Sequence, residues 1–183
     1  MKKIIVAQYK EDVSWVHQVS HEWEPWVITK DKDIPNVGRE PSTFFWAMHQ
    51  MYDSLQADDL LAFVQGEPFP HFPMVIDFLL MPQEINGYVS LGLQIETSNP
   101  IGAPHNTGPN HYDLPVAEKL KQWFDRDWSG DIIFTAGGQF VITGKDVLQY
   151  PKEFYTMMYD EMCSDPNIPY VMERLWPEMF GNK

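Results

Sequence analysis

Five short stretches of this 183-residue chain hold side chains suited to gripping a ligand or moving a proton. In Pro35-Asn36-Val37-Gly38-Arg39-Glu40, just ahead of an expected helix, glycine permits close backbone approach, a helix N-terminus favours an anion, and arginine can hold a phosphate through two parallel hydrogen bonds. A diphosphate is a natural guest there, although a glycine turn with Arg39 and Glu40 paired at the surface is the plainer reading. Gln65-Gly66-Glu67-Pro68-Phe69-Pro70-His71 closes a strongly apolar run. Glu67, presented beside a glycine, could hold a divalent cation against substrate phosphates, or be a surface turn residue, with His71 a satisfied loop histidine. Tyr9-Lys10-Glu11-Asp12 is either a binding loop or a solvated turn capped by Asp12. Gly137-Gly138-Gln139-Phe140 offers a small-residue surface to a sugar, or a hairpin turn. Glu173, in Met172-Glu173-Arg174-Leu175-Trp176, is a candidate general base near Trp176, or the partner of Arg174 or of a lysine elsewhere.

The elements that must position these residues read as an alternating α/β chain. Lys2 to Gln8 is a β-branched run expected as a buried strand, with Trp26 to Thr29 and Asp59 to Gln65 as two more, neighbouring and parallel. Val13 to Ser20 begins a helix, and a second opens at Pro41 with Phe45, Met48, Tyr52 and Leu55 at helical spacing. Tyr88 to Ile95 alternates apolar residues at Val89, Leu91, Leu93 and Ile95 as a half-exposed strand would. Glu96 to Leu114, with three prolines, two glycines and three asparagines, reads as a long binding loop or lid carrying His105 and His111. Pro115 opens a helix through Phe124, and Ile132 to Phe134 and Gln139 to Thr143 are short strands. Pro151 begins a helix with Phe154, Met157, Met158 and Met162 on one core-facing side. Tyr170 to Trp176 forms a last helix that Pro177 should end or kink.

Composition narrows the classes. The length suits one domain over residues 1–183, with a core that needs no disulfide or structural metal. The single cysteine, Cys163, has no intrachain partner and reads as an inert thiol. Met1 to Gln8 lacks the cleavage site of a secretion signal, and no stretch approaches the roughly 20 apolar residues that span a bilayer. A cytoplasmic protein is the expectation. The formal net charge of −13 opposes nonspecific clamping of nucleic-acid phosphates.

Taken in order, IIVAQYKEDVSWV, IPNVGREPSTFFWAM, LAFVQGEPF, GGQFVITGKDVLQYPKEFY and YVMERLW with the closing MF resemble an uncharacterised family of GT-A-like proteins, related at fold level to nucleotide-sugar glycosyltransferases. NVGRE followed about 25 residues later by QGEPF is the most specific pair. The resemblance implies a GT-A-like, Rossmann-like fold with a mostly parallel central sheet flanked by helices. It also implies contacts to the nucleotide base and ribose at Tyr9 and Glu11, and to the nucleotide and diphosphate at Asn36, Gly38 and Arg39. Gln65-Gly66-Glu67 falls at the Asp-x-Asp metal motif, so Glu67 would be the metal-side carboxylate for manganese or magnesium. Gly138 and Trp176 would line the donor site, and Glu173 would be the base of an inverting transfer. Two departures stand out: Gln65 replaces the first aspartate, and Pro177 follows Trp176 where relatives often carry histidine.

The activity so implied is transfer of a sugar from a nucleotide-sugar donor to an acceptor hydroxyl, with or without a metal. The acceptor stays open among glycan, lipid-linked, protein, small-molecule and modified-DNA-base classes. Gln65 and Pro177 favour a rival, an inactive nucleotide- or sugar-binding module on the same fold. A nucleotidyltransferase is a second rival, but Tyr9-Lys10-Glu11-Asp12 lacks the glycines that chemistry usually places after the first strand.

Overall fold

The computed structural model describes residues 1–82, 84–93, 95–98, 114–128, 130 and 132–181. In chain order the strands are β1 (Lys2–Gln8), β2 (Glu24–Thr29), β3 (Leu60–Gln65), β4 (Val89–Ser90), β5 (Ile95–Ser98), β6 (Ile132–Thr135) and β7 (Phe140–Thr143). The helices are α1 (Arg39–Met51), α2 (Val75–Leu80), α3 (Val116–Phe124), α4 (Gly144–Leu148), α5 (Lys152–Ser164) and α6 (Ile168–Phe180). Among the described residues no helix is long and apolar enough to cross a membrane.

The central sheet has the order β2-β1-β3-β7-β4. β1 pairs in parallel with both β2 and β3, as the three sequence runs predict. β7 is antiparallel to β3 and to β4, so it alone runs against the other four strands. β1 is apolar throughout its middle because both its faces are covered. Ile5 and Ala7 face the core built with α1, α3, α5 and α6, while Ile4 and Val6 face a second core with Trp15, Trp23, Val75 and Leu79. Strand ends and helix starts therefore meet along one edge, where Gln8, Thr29 and Gln65 end their strands.

Several sequence expectations are corrected. The strand expected over Tyr88 to Ile95 is divided between two sheets: Val89 pairs with Val141 in the central sheet, and Ile95 with Thr135 in a two-stranded one. Gly92 lies at the crossing, where an added Cβ would come within 2.1 Å of Thr135 Cγ2. Leu91 is buried and Leu93 is 65% exposed, so the alternation does not describe one face. Glu96 to Ser98 belongs to β5 rather than to a loop, Leu114 is buried, and residues 99–113 of that loop, with His105 and His111, lie outside the described residues. The first expected helix is only a 3-10 turn over Ser14–Gln18. Met157 is 43% exposed because, at 100° per residue, it lies about 200° around the helix from Tyr155, the centre of the buried face. Pro177 does not end the last helix, which continues to Phe180. Its missing N–H costs about 3 kcal/mol, but burying Trp176, Met179 and Phe180 returns about 1.5–3 kcal/mol each.

Candidate functional site

A cavity of about 300 Å³ opens where the end of β3 meets the first turn of α1, the start of α6 and the link between β6 and β7. Arg39, Gln65, Gly138, Glu173 and Trp176 line it, together with Glu40, His71 and Tyr170. Its floor is fixed from the small sheet to the large one by Gly137-Gly138, both in left-handed backbone (φ 92° and 57°). That link is no hairpin, since β6 and β7 lie in different sheets.

Three polar side chains hold the glycine link. Gly137 N–H donates to Glu173 Oε1 at 2.7 Å, and Gln65 Nε2 donates to the Gly137 carbonyl at 3.1 Å. Gln139, 1% exposed, accepts the Gln65 backbone N–H through Oε1 and donates from Nε2 to the Pro68 carbonyl. Gly137 carries no Cβ because one would come within 2.6 Å of the His71 ring. Position 65 thus needs a donor: a carboxylate there would face a carbonyl oxygen.

Arg39 opens α1 with φ 48°, directly after Gly38 at φ 69°. Gly38 is required there, since a Cβ would approach Ser42 Cβ at 2.7 Å and the Met162 carbonyl oxygen at 2.8 Å. The Arg39 guanidinium donates to the Tyr170 hydroxyl at 2.9 Å, lies 4.9 Å from the Tyr170 ring centre, and stands 3.7 Å from Glu40. Behind this turn is the buried Lys30, whose ammonium donates to the Val37 carbonyl and to Ser42 Oγ, both at 2.6 Å. Burial lowers its pKa to about 8, against the raising influence of Glu40. On the α6 side Arg174 is wholly buried, donating to the Tyr170 carbonyl at 2.8 Å and lying 3.6 Å from Glu173 Oε2.

Trp176 is likewise 0% exposed, packed on Phe140, Phe45 and Phe180. Its indole N–H has no hydrogen-bond partner among the described residues. A Cβ on Gly138 would sit 3.3 Å from that nitrogen, so the glycine keeps the indole edge next to the cavity.

The remaining expected site residues fall outside this cavity. Asn36 and Gly38 line a neighbouring groove of about 480 Å³ that shares Arg39, Pro169 and Tyr170 with it. Tyr9 is exposed under the Lys10 ammonium. Glu11 binds its own loop, its Oε2 accepting from the Tyr9 and Lys10 N–H groups. Burial opposes ionisation of Glu11, and these backbone bonds hold its pKa below the usual range. Gly66 makes room for that carboxylate, an added Cβ lying 2.8 Å from Glu11 Oε2. The convergence expected of Tyr9, Asn36, Arg39 and Glu67 is not found in one concavity: Tyr9 and Glu67 line neither. Cys163 lies in the groove wall, and burial pushes its thiol up, which suits an unreactive cysteine.

The carboxylate pair expected for a divalent cation is not assembled in this cavity: Gln65 turns its Nε2 to the Gly137 carbonyl, Glu67 is exposed and does not line the cavity, and the described residues contain no cluster of three or more His, Cys, Asp or Glu placed to hold a metal. Sequence reasoning missed Tyr170 and Lys30, discounted His71, and named Glu40 only as a surface partner of Arg39, from which it stands 3.7 Å. Tyr170 is 131 residues from Arg39, and no local pattern announces such a pair.

A family model described as "Protein of unknown function (DUF3431)" matches residues 4–183. No curated protein and no solved structure matches the chain.

Proposed function

Since the chain belongs to the DUF3431 family, whose description names no activity, we propose from the cavity itself that it transfers a sugar from a nucleotide-sugar donor to an acceptor hydroxyl. The observation that carries this reading is that Arg39, at the first turn of α1, and Glu173 line the same cavity beside the small-residue wall of Gly137-Gly138. Transfer needs a cation for the departing diphosphate and a base for the acceptor, and the two side chains supply them. Glu173 takes the acceptor proton, the acceptor oxygen bonds to the anomeric carbon, and the bond to phosphate breaks with its electron pair leaving on the diphosphate. Attack from the Glu173 side inverts the anomeric centre. The adjoining groove at Asn36 and Gly38 gives the nucleoside room, and the fold, a sheet with one antiparallel strand among five, is compatible with a GT-A-like arrangement.

One observation favours a second reading, a binding module without transfer. Glu173 Oε1 already accepts the Gly137 N–H, so the carboxylate also anchors the cavity floor. Glu173→Gln separates the two. Its amide oxygen still accepts that N–H, so the anchor survives, while a base is lost. Assayed on a panel of uridine and guanosine diphosphate sugars, with and without manganese, the variant should turn over roughly a hundredfold more slowly with nearly unchanged donor affinity. Donor binding without turnover by the natural chain would establish the module, and normal turnover by the variant would remove Glu173 from catalysis.

A further inference from the structure

We infer that the cavity grips a diphosphate without a divalent cation, through Arg39 aimed by Tyr170, the first turn of α1 and the buried indole N–H of Trp176. The inference rests on the nucleotide-sugar reading for the rest of the ligand, but not for the diphosphate itself. Its starting point is the conflict at Gln65. The resemblance puts a metal-ligating carboxylate at this position, and the chain instead places an amide whose nitrogen is bonded to the Gly137 carbonyl. The charge of a diphosphate must then be met by protein groups.

Those groups are present. Arg39 is exposed at the cavity mouth, yet its guanidinium is restrained by the Tyr170 hydroxyl at 2.9 Å and by the face of the same ring. A phosphate therefore meets a preorganised fork, with less side-chain entropy to lose. The 13-residue helix α1 starts at this point with no side-chain hydrogen bond from its cap residue Gly38, and an anion would share the positive end of its dipole with Glu40 of the first turn. Trp176 is the independent sign of a ligand: a fully buried donor without a partner in the wall of a polar cavity, kept open by the absence of a Cβ at Gly138. Left unmatched such a donor is costly, and a ligand oxygen reaching past Gly138 would match it.

The charges permit it. Glu40 and Glu173 face the cavity, and Arg39, the buried Arg174 beside Glu173, and Lys30 behind the α1 turn offset them. In a chain of net charge −13, three cations against two carboxylates leave this neighbourhood close to balance instead of strongly negative. Tyr170 acts here as a positioning residue, working through Arg39.

Inorganic pyrophosphate is the probe, titrated calorimetrically into the full chain in EDTA and again in magnesium. Binding in EDTA within about threefold of the magnesium affinity is expected, with Arg39→Ala weakening it about tenfold or more at unchanged melting temperature. Tyr170→Phe, which keeps the ring and loses the hydroxyl, should fall between, and Arg39→Lys should recover part of the loss. Binding that appears only with magnesium, that survives Arg39→Ala, or that is absent in both buffers overturns the inference. Uridine and guanosine diphosphates form the second arm. If pyrophosphate binds as expected and neither nucleotide binds more tightly, the metal-free grip stands and the nucleotide-sugar reading falls. If a nucleotide binds only with magnesium, the reading survives and this inference does not.

Discussion

At position 65 a single atom decides between two chemistries. Gln65 Nε2 donates to the Gly137 carbonyl, whereas a glutamate of the same shape would set two acceptors against each other. Gln65→Glu should therefore lower stability by about 1–3 kcal/mol in urea unfolding and loosen the glycine link, rather than restore a metal site. A gain in manganese-dependent binding at full stability would contradict this. Lys30 makes the residue-scale argument for pH. Burial lowers its pKa from the ordinary 10.5 to about 8, so between those values the unfolded chain holds more protons than the folded one. The contribution of Lys30 to stability accordingly rises from about pH 8 to 10.5 and is lost as pH falls through about 8. In urea unfolding across that window, the stability of the natural chain relative to Lys30→Met should climb with pH, and a flat difference would show that the ammonium is not desolvated.

Elements bring these residues together, and α6 is the one that could be pushed furthest. Pro177 supplies no N–H to the turn before it, and a residue before proline is biased away from helix, yet α6 runs on to Phe180. Pro177→Ala should restore a donor and raise the unfolding free energy by about 1–3 kcal/mol, read as a higher urea midpoint. An unchanged or lower midpoint would mean that the proline already relieves strain in the surrounding packing. The same helix shows what the sequence makes legible. β1 and β3 could be read because strands covered on both faces become continuous apolar runs, and α1 because its apolar residues recur at helical spacing. The switch of sheets at Gly92 was hidden, because the apolar alternation continues straight through it while its partners change from β7 to β6. In the site, Arg39, Gln65 and Gly138 stood out from a helix start, a strand end and paired glycines, Glu173 as a carboxylate among apolar helix residues, and Trp176 through the resemblance. The roles of Gln65 and Tyr170 were not, since each depends on a hydrogen bond to a residue 72 or 131 positions away.

The whole molecule is organised by a sheet with a core on each face, and that arrangement predicts how it unfolds. One core contains the apolar faces of α1, α3, α5 and α6, while the other contains α2 and the tryptophans at 15 and 23. Among the described residues the two are separated by the sheet, where Ile4 and Val6 point one way and Ile5 and Ala7 the other along the same strand. Neither face can be exposed without removing cover from β1 and β3, so the two cores should melt together as one cooperative unit. Leu79→Ala tests this from the smaller core. The leucine is 2% exposed, and truncating it should cost about 2–4 kcal/mol. The far-ultraviolet helical signal comes mainly from the opposite face, because α1, α5 and α6 are 13 residues each and α2 only six. If the sheet couples the cores, the variant shifts the helical transition and the tryptophan transition to the same lower denaturant midpoint. Five of the seven tryptophans pack with the larger core, so independent unfolding would show as a helical midpoint that stays in place while a minor fluorescence transition, from Trp15 and Trp23, separates to lower denaturant, and the cavity, built almost wholly on the α1 and α6 side, would then keep its shape when the second core is lost.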